Sequence, residues 1–201
     1  MGRPSDARER ILTQAAALFE RDGTQGVSVA DVCRAAGVQK GSFYHFFPSK
    51  RDLILATVGD LRERHCELLD QVFDPALGPA SQVEQLFQRF YATQRASVTD
   101  CGAVQGCVVA SLTQELADQD EGVRAELQGL WTAWTDRLTA ALARPEGGRV
   151  IEDPRSTAVS LIALLEGATL LAKAQNDASV ILARIPDALA ILHARSVPLQ
   201  G

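Results

Sequence analysis

The chain is poor in the residues that usually carry chemistry. Its three histidines, His45, His65 and His193, are scattered, and no His-Glu-x-x-His pattern offers zinc a site. A phosphate-binding glycine loop and a Gly-x-Ser-x-Gly elbow are both missing, which argues against nucleotide hydrolysis and serine esterase activity. Four cysteines, Cys33, Cys66, Cys101 and Cys107, lack paired metal-type spacing, which favours reduced thiols in a cytoplasm over a disulfide framework. No apolar run approaches the length of a membrane span, and the amino end has no hydrophobic signal core. Alternating Val/Ile/Thr runs of useful length are missing too, so strands are not expected. There is no internal repeat and no low-complexity tract. The expectation is a cytoplasmic protein with no catalytic residues, no metal, no cofactor and no membrane partner.

What is present is helical and unevenly charged. Hydrophobic residues make up 46% of 201 residues, enough for a core and well outside the disordered range. Net charge is −5, yet residues 1–51 hold eight Lys/Arg against five Asp/Glu, so this stretch is +3 and the remainder −8. A basic head on an acidic body suits a protein that touches nucleic acid with one end only.

The head carries the most specific pattern in the chain. Val29, Val32, Cys33 and Ala36 recur at helical spacing, with Ser28 placed to cap the first turn and Gly37 to end the helix and reverse direction. A second helix is predicted over about Gln39 to Phe46. Its aromatic set, Phe43, Phe46 and Phe47, reads as packing against Val38 and Leu53 rather than as a base-stacking platform. Cys33, between Val29 and Ala36, reads as a small hydrophobe. The outward residues are Lys40, Ser42, Tyr44 and His45. A helix presenting cations, hydroxyls and one aromatic, braced by another helix, is a helix-turn-helix DNA reader. Gln39 and Ser42 can both donate and accept, and so suit base choice; Lys40 can reach a guanine edge or a phosphate. Gly41 lets the helix approach the duplex closely. Lys50 and the Ser28 end of the first helix fit phosphate anchors, and Arg3 in the N-terminal arm adds a possible contact.

From Val29 to Leu53, together with Arg8, Ile11, Leu12, Ala15, Ala16, Leu18 and Phe19 ahead of Gly23, the sequence resembles the DNA-binding domain of TetR-family transcriptional regulators. The resemblance implies an all-α chain: a three-helix helix-turn-helix domain over 1–51, and a helical bundle over 52–201 that binds a ligand and dimerises. It also implies a homodimer on double-stranded operator DNA, released by a small effector, with Tyr44 and His45 as phosphate clamps.

Helices are predicted beyond the head at about 49–72, 80–98, 107–117, 121–144, 154–175 and 178–194. The segment Gly106 to Leu116 resembles the Gly-Cys-x-x-x-x-Leu-x-x-Glu signature of a TetR-family branch that includes regulators of electrophile and acrylate metabolism. There the cysteine starts a helix near the effector cavity, where the helix dipole favours a thiolate. Two readings of Cys107 stand: a sensing thiol, for which Cys101 is a conceivable resolving partner, or an inert packing residue. Phe87, Phe90, Tyr91, Leu112, Trp131, Trp134 and Leu138 can converge as ligand-binding groups or simply as core, with Gln94, Arg95 and Thr113 available to orient a polar group. The last two helices are apolar on more than one side, from Ala158, Leu161, Ile162, Leu165, Ala168, Thr169 and Ala172 to Ile181, Ile185, Leu189 and Leu192, with Gly167 permitting close approach. They are the expected dimer surface. Rival readings are a DNA-tethered protein scaffold and a cysteine-dependent enzyme, neither with a signature of its own.

Overall fold

The computed structural model describes residues 4–74 and 76–199, so Arg3 lies outside the described residues. The chain is helical nearly throughout and divides into two compact units. One comprises the chain up to Arg64 and the segment Val108–Leu130; the other comprises His65–Cys107 and Trp131 onward. Packing assigns a later segment to the same body as the head, a grouping the expected boundary at 51/52 does not describe.

The first unit opens with α1 (Pro4–Gly26), broken at Gly23, whose φ of 69° and ψ of 164° are not helical. It continues with α2 (Val29–Ala36) and α3 (Lys40–Phe46), takes the start of α4 (Lys50–Val72), and adds α6 (Val108–Leu116) and the start of α7 (Glu121–Leu142). Ile11, Leu12, Ala15 and Phe19 of α1, Val32 and Cys33 of α2, and Phe43, Phe47 and Leu53 form its core. Burial of these large groups gives so small a head its stability.

Charged side chains tie the later segment on. Glu115 of α6 accepts from the Thr24 N–H at 2.9 Å, the Thr24 hydroxyl at 2.6 Å and the Gln25 N–H at 2.9 Å. Burial alone would raise this carboxyl; the Thr24 and Gln25 donors and the Lys50 charge bring it below its ordinary value. A depressed carboxyl adds stability above the ordinary carboxylate range, which is lost as pH falls through its folded value. Glu115→Gln turns one acceptor into a donor facing an N–H. It is expected to cost about 2 kcal/mol, a drop of roughly 4–8 °C in melting temperature, read by calorimetry at neutral pH. Arg51 pairs with Asp120, holding that carboxyl at about 2, and Arg62 reaches Glu126 at 3.3 Å.

The second unit contains the end of α4, α5 (Pro79–Cys101), the end of α7, α8 (Pro154–Gln175), α9 (Ser179–Leu182) and α10 (Ile185–Ala194). Leu86, Phe87, Trp134, Leu138, Leu161 and Leu165 are among its core residues. The helix predicted over 178–194 is two, because Pro186 has no N–H to continue the ladder. Strands do occur, contrary to expectation. Arg149–Ile151 pairs antiparallel with Ser196–Pro198 as a two-stranded ribbon. Gly147 (φ 57°) and Gly148 (φ 73°) supply the positive φ of the tight turn that precedes it. Three-residue strands carry no alternation to read. A second correction concerns α8, which is long and apolar enough, by length and composition, to cross a membrane. Glu166 and Lys173 interrupt the run in sequence, yet both its inner and outer faces are apolar.

Candidate functional site

The reading head is assembled by local rules. Ser28 and Asp31 form a reciprocal cap: the Ser28 hydroxyl accepts from the Asp31 N–H at 3.2 Å, and Asp31 accepts from the Ser28 N–H at 3.0 Å. Gly37 adopts left-handed geometry (φ 63°, ψ 39°). Its N–H bonds to the Arg34 carbonyl, and the Val38 N–H reaches back to the Cys33 carbonyl at 3.0 Å, closing the helix while the chain turns. Phe43 and Phe47 are buried against each other with centroids 5.7 Å apart, while Phe46 is only half-buried. Cys33 is buried as expected, and burial pushes its thiol up.

Gln39, Lys40, Gly41, Ser42, Tyr44 and His45 are all exposed on or beside α3, with Tyr44 at 53%. The Tyr44 ring stands edge-on to Phe43 at 5.3 Å, while the residue as a whole stays half exposed. Nothing lies within 4 Å of a Cβ built on Gly41. Alanine there would be tolerated by the free protein, even stabilising by up to about 1 kcal/mol through helix propensity. We expect Gly41→Ala to keep or slightly raise its melting temperature yet bind DNA about tenfold more weakly in fluorescence anisotropy, since a methyl group would hold the helix off the groove. Two other expected contacts are engaged within the unit. The Lys50 ammonium donates to the Thr24 carbonyl at 2.5 Å, and the Ser28 N–H is taken by Asp31.

The second unit gathers part of the expected ligand set. Phe90 stands edge-on to Trp134 at 5.4 Å, Trp131 lies 5.8 Å from the same ring, and His65 lies 5.7 Å away. Trp134 is buried, and its Nε1 has no hydrogen-bond partner. Phe87 is core, and Tyr91 is half-buried, its hydroxyl accepting from Arg95 at 3.4 Å. Leu112 is buried in the first unit, where the Thr113 hydroxyl is taken by the Val109 carbonyl.

Cys107 is half-buried and immediately precedes α6. The loop that presents it is held at several points. Gln94 clasps Gly106, donating to its carbonyl at 2.8 Å and accepting from its N–H at 2.9 Å. The amide of Gln94 is therefore occupied by backbone. Asn176 accepts from the Val104 N–H at 2.9 Å. Gly106 has a φ of 90°, and a Cβ there would lie 3.1 Å from Cδ of Lys173. The thiol hydrogen-bonds to Glu166 of α8, whose Oε1 is buried without a partner. Burial pushes the Glu166 carboxyl up to about 7. Cys101, at the end of α5, is exposed, donating to the Ser97 carbonyl and accepting from Gln105. Sequence reading placed Glu115 only as the last position of the Gly-Cys signature, without its role, and missed Glu166. A charged residue at helical spacing looks like any solvated one, and its partner lies far along the chain.

A capped brace helix, a left-handed turn and an exposed polar helix on an aromatic core define a helix-turn-helix DNA-binding protein. More specifically, the chain belongs to the TetR family: residues 11–57 match the pattern of bacterial regulatory proteins of the tetR family. Residues 83–185 match the C-terminal domain of LmrA/YxaF-like transcriptional regulators. The transcriptional regulator AcuR of Cereibacter sphaeroides is 32% identical over 183 residues, covering 86% of this chain and 81% of AcuR. The transcriptional repressor NemR of Escherichia coli is 27% identical over 173 residues, covering 84% of each. A TetR-family regulator from Agrobacterium tumefaciens superposes with a TM-score of 0.80 at 26% identity, covering 97% of this chain and 100% of the other. The protein is thus a DNA-binding transcriptional regulator.

Proposed function

We propose that this regulator is a homodimeric repressor, acting in the cytoplasm, that leaves its operator when a small electrophile reacts at Cys107. The observation that carries the DNA half is the exposed polar face of α3, with residues 1–51 as the reading domain. Two copies of α3 placed one helical turn apart, roughly 34–36 Å, would enter successive major grooves of a pseudo-palindrome. The sensing half, with residues 52–201 as the body, rests on a thiol that is half-buried rather than sealed and is hydrogen-bonded to a carboxyl.

Dimerisation is supported by the outer face of α8. Val159, Leu170 and Leu171 are 53%, 61% and 51% exposed, with Ala163 and Gly167 exposed among them. Most residues singled out for their apolarity, such as Leu161, Leu165 and Ala172, are core instead. Solvent is a poor partner for such a face, and a second copy covers it. Leu170→Glu should sediment as a monomer at micromolar concentration and lose operator affinity; a dimer of unchanged affinity would remove α8 from the interface.

Two covalent routes can carry the signal. The helix α4 begins beside the reading helix and ends in the other unit, and Cys107 is followed directly by α6, whose Glu115 holds the turn before α2. A coupling of about 1–3 kcal/mol suffices for release. The test is fluorescence anisotropy with the DNA upstream of the protein's own gene, before and after methyl vinyl ketone. Tight binding that the ketone abolishes in wild type but not in Cys107→Ser is expected; indifference to that DNA at low salt would end the reading.

A further inference from the structure

Glu166 is a half-buried acid that DNA binding leaves unexplained. It stands on α8, one carboxyl oxygen buried with no partner, its side chain bonded to the Cys107 thiol. We infer that Glu166 is the proton acceptor of Cys107, taking the thiol proton as sulfur bonds to the β-carbon of an α,β-unsaturated carbonyl compound and returning it to the α-carbon. The inference rests on Cys107 as the sensing thiol and adds the residue that makes it react. One S–C bond and one C–H bond form, while the S–H bond and the C=C π bond break. The carboxylate is regenerated, and neither an oxidant nor a leaving group is required.

Three observations favour a base over a packing acid. First, the thiol lies within hydrogen-bonding reach of the carboxyl and lowers it against the effect of burial, so a proton can pass between them. Second, Oε1 is satisfied by no donor, which keeps the carboxylate basic. Burial pushes Glu166 up to about 7, near the proton affinity of a working base at neutral pH, whereas an ordinary glutamate at about 4.3 would be too weak. Third, Gln94 and Asn176 hold the loop at Gly106 and Val104, just ahead of the reacting residue, so its approach to the carboxyl is fixed. The carboxylate opposes a stored thiolate by like charge, so its help comes as the bond forms.

On α8, Lys173 runs beside Gly106, its Nζ 3.8 Å from where a Cβ would sit. Past α10, Arg195 is engaged by Ser156 and Ser160 near the start of α8. The groups contributed by α5 and the α8 cap, Gln94 and Asn176, are uncharged.

Methyl vinyl ketone serves as probe on the full-length protein. Adduct on the Cys107 peptide is timed by quenching and mass spectrometry, between about pH 5.5 and 9, so as to bracket the carboxyl and an ordinary thiol. Glu166→Gln should react on the order of a hundredfold more slowly at neutral pH. It should also lack the rise in rate centred near pH 7 that is expected of the wild type. Glu166→Asp, which keeps a carboxylate, should regain part of the rate, and circular dichroism confirms folding of each variant. Equal rates and superimposable pH profiles in wild type and both variants would overturn the inference. Operator release is followed in the same samples. Glu166-dependent adduct formation with the operator still bound would refute sensing but leave Glu166 its role.

Discussion

Lys40→Ala is expected to weaken operator binding on the order of a hundredfold and to flatten its salt dependence. The side chain is exposed at the first position of α3, so its removal leaves the core untouched. If it meets a phosphate, each copy lost lowers the log–log salt slope by about 0.9, hence by about 2 for a dimer. If it meets a guanine edge, about 1–3 kcal/mol per site is lost and base preference relaxes there. Titrations at several salt concentrations separate the two. Tyr44→Phe is the companion, because the ring's packing on Phe43 survives and only the hydroxyl goes. Its loss should cost about tenfold, the worth of one charge-assisted hydrogen bond. Affinity and slope unchanged in both variants would mean that α3 does not read DNA.

The second large effect concerns stability. Glu166→Gln should melt higher than wild type at about pH 8 and close to it below about pH 4.5. In the folded chain the carboxyl titrates at about 7, against 4.5 when unfolded. A raised acid binds more protons folded than unfolded, so its contribution is full below the unfolded value and drains away as pH rises through the folded one. The burden at high pH is on the order of 3 kcal/mol, several degrees in a chain of this length. Calorimetry across pH decides it. Parallel stability curves for the two proteins would show that Glu166 ionises without strain. Tolerating such an acid is the usual compromise of a reactive site.

The head was legible because every level agreed. Cap, apolar spacing, turn glycine and aromatic core all pointed to one arrangement from Ser28 to Phe47, and the structure keeps it. The later helices were legible as helices, but not the direction each face takes. Leu165 and Leu170 read alike in sequence, yet one is core and the other 61% exposed. Glu115 was legible as the end of the Gly-Cys signature but not as a clasp, and Glu166 not at all, because their meaning depends on partners distant in sequence. Lys50 was legible as a cation, but its attachment to the Thr24 carbonyl needed coordinates. The ribbon at Arg149–Ile151 escaped because three residues carry no period.

The Glu115 clasp has a practical corollary for protein engineers. The peptide groups of Thr24 and Gln25 find their acceptor in a helix supplied from much later in the polypeptide. A fragment cut just past the reading helix would therefore strand those amides. Chimaeras that transplant specificity from a relative should carry residues 108–130 of the donor along with its amino-terminal segment.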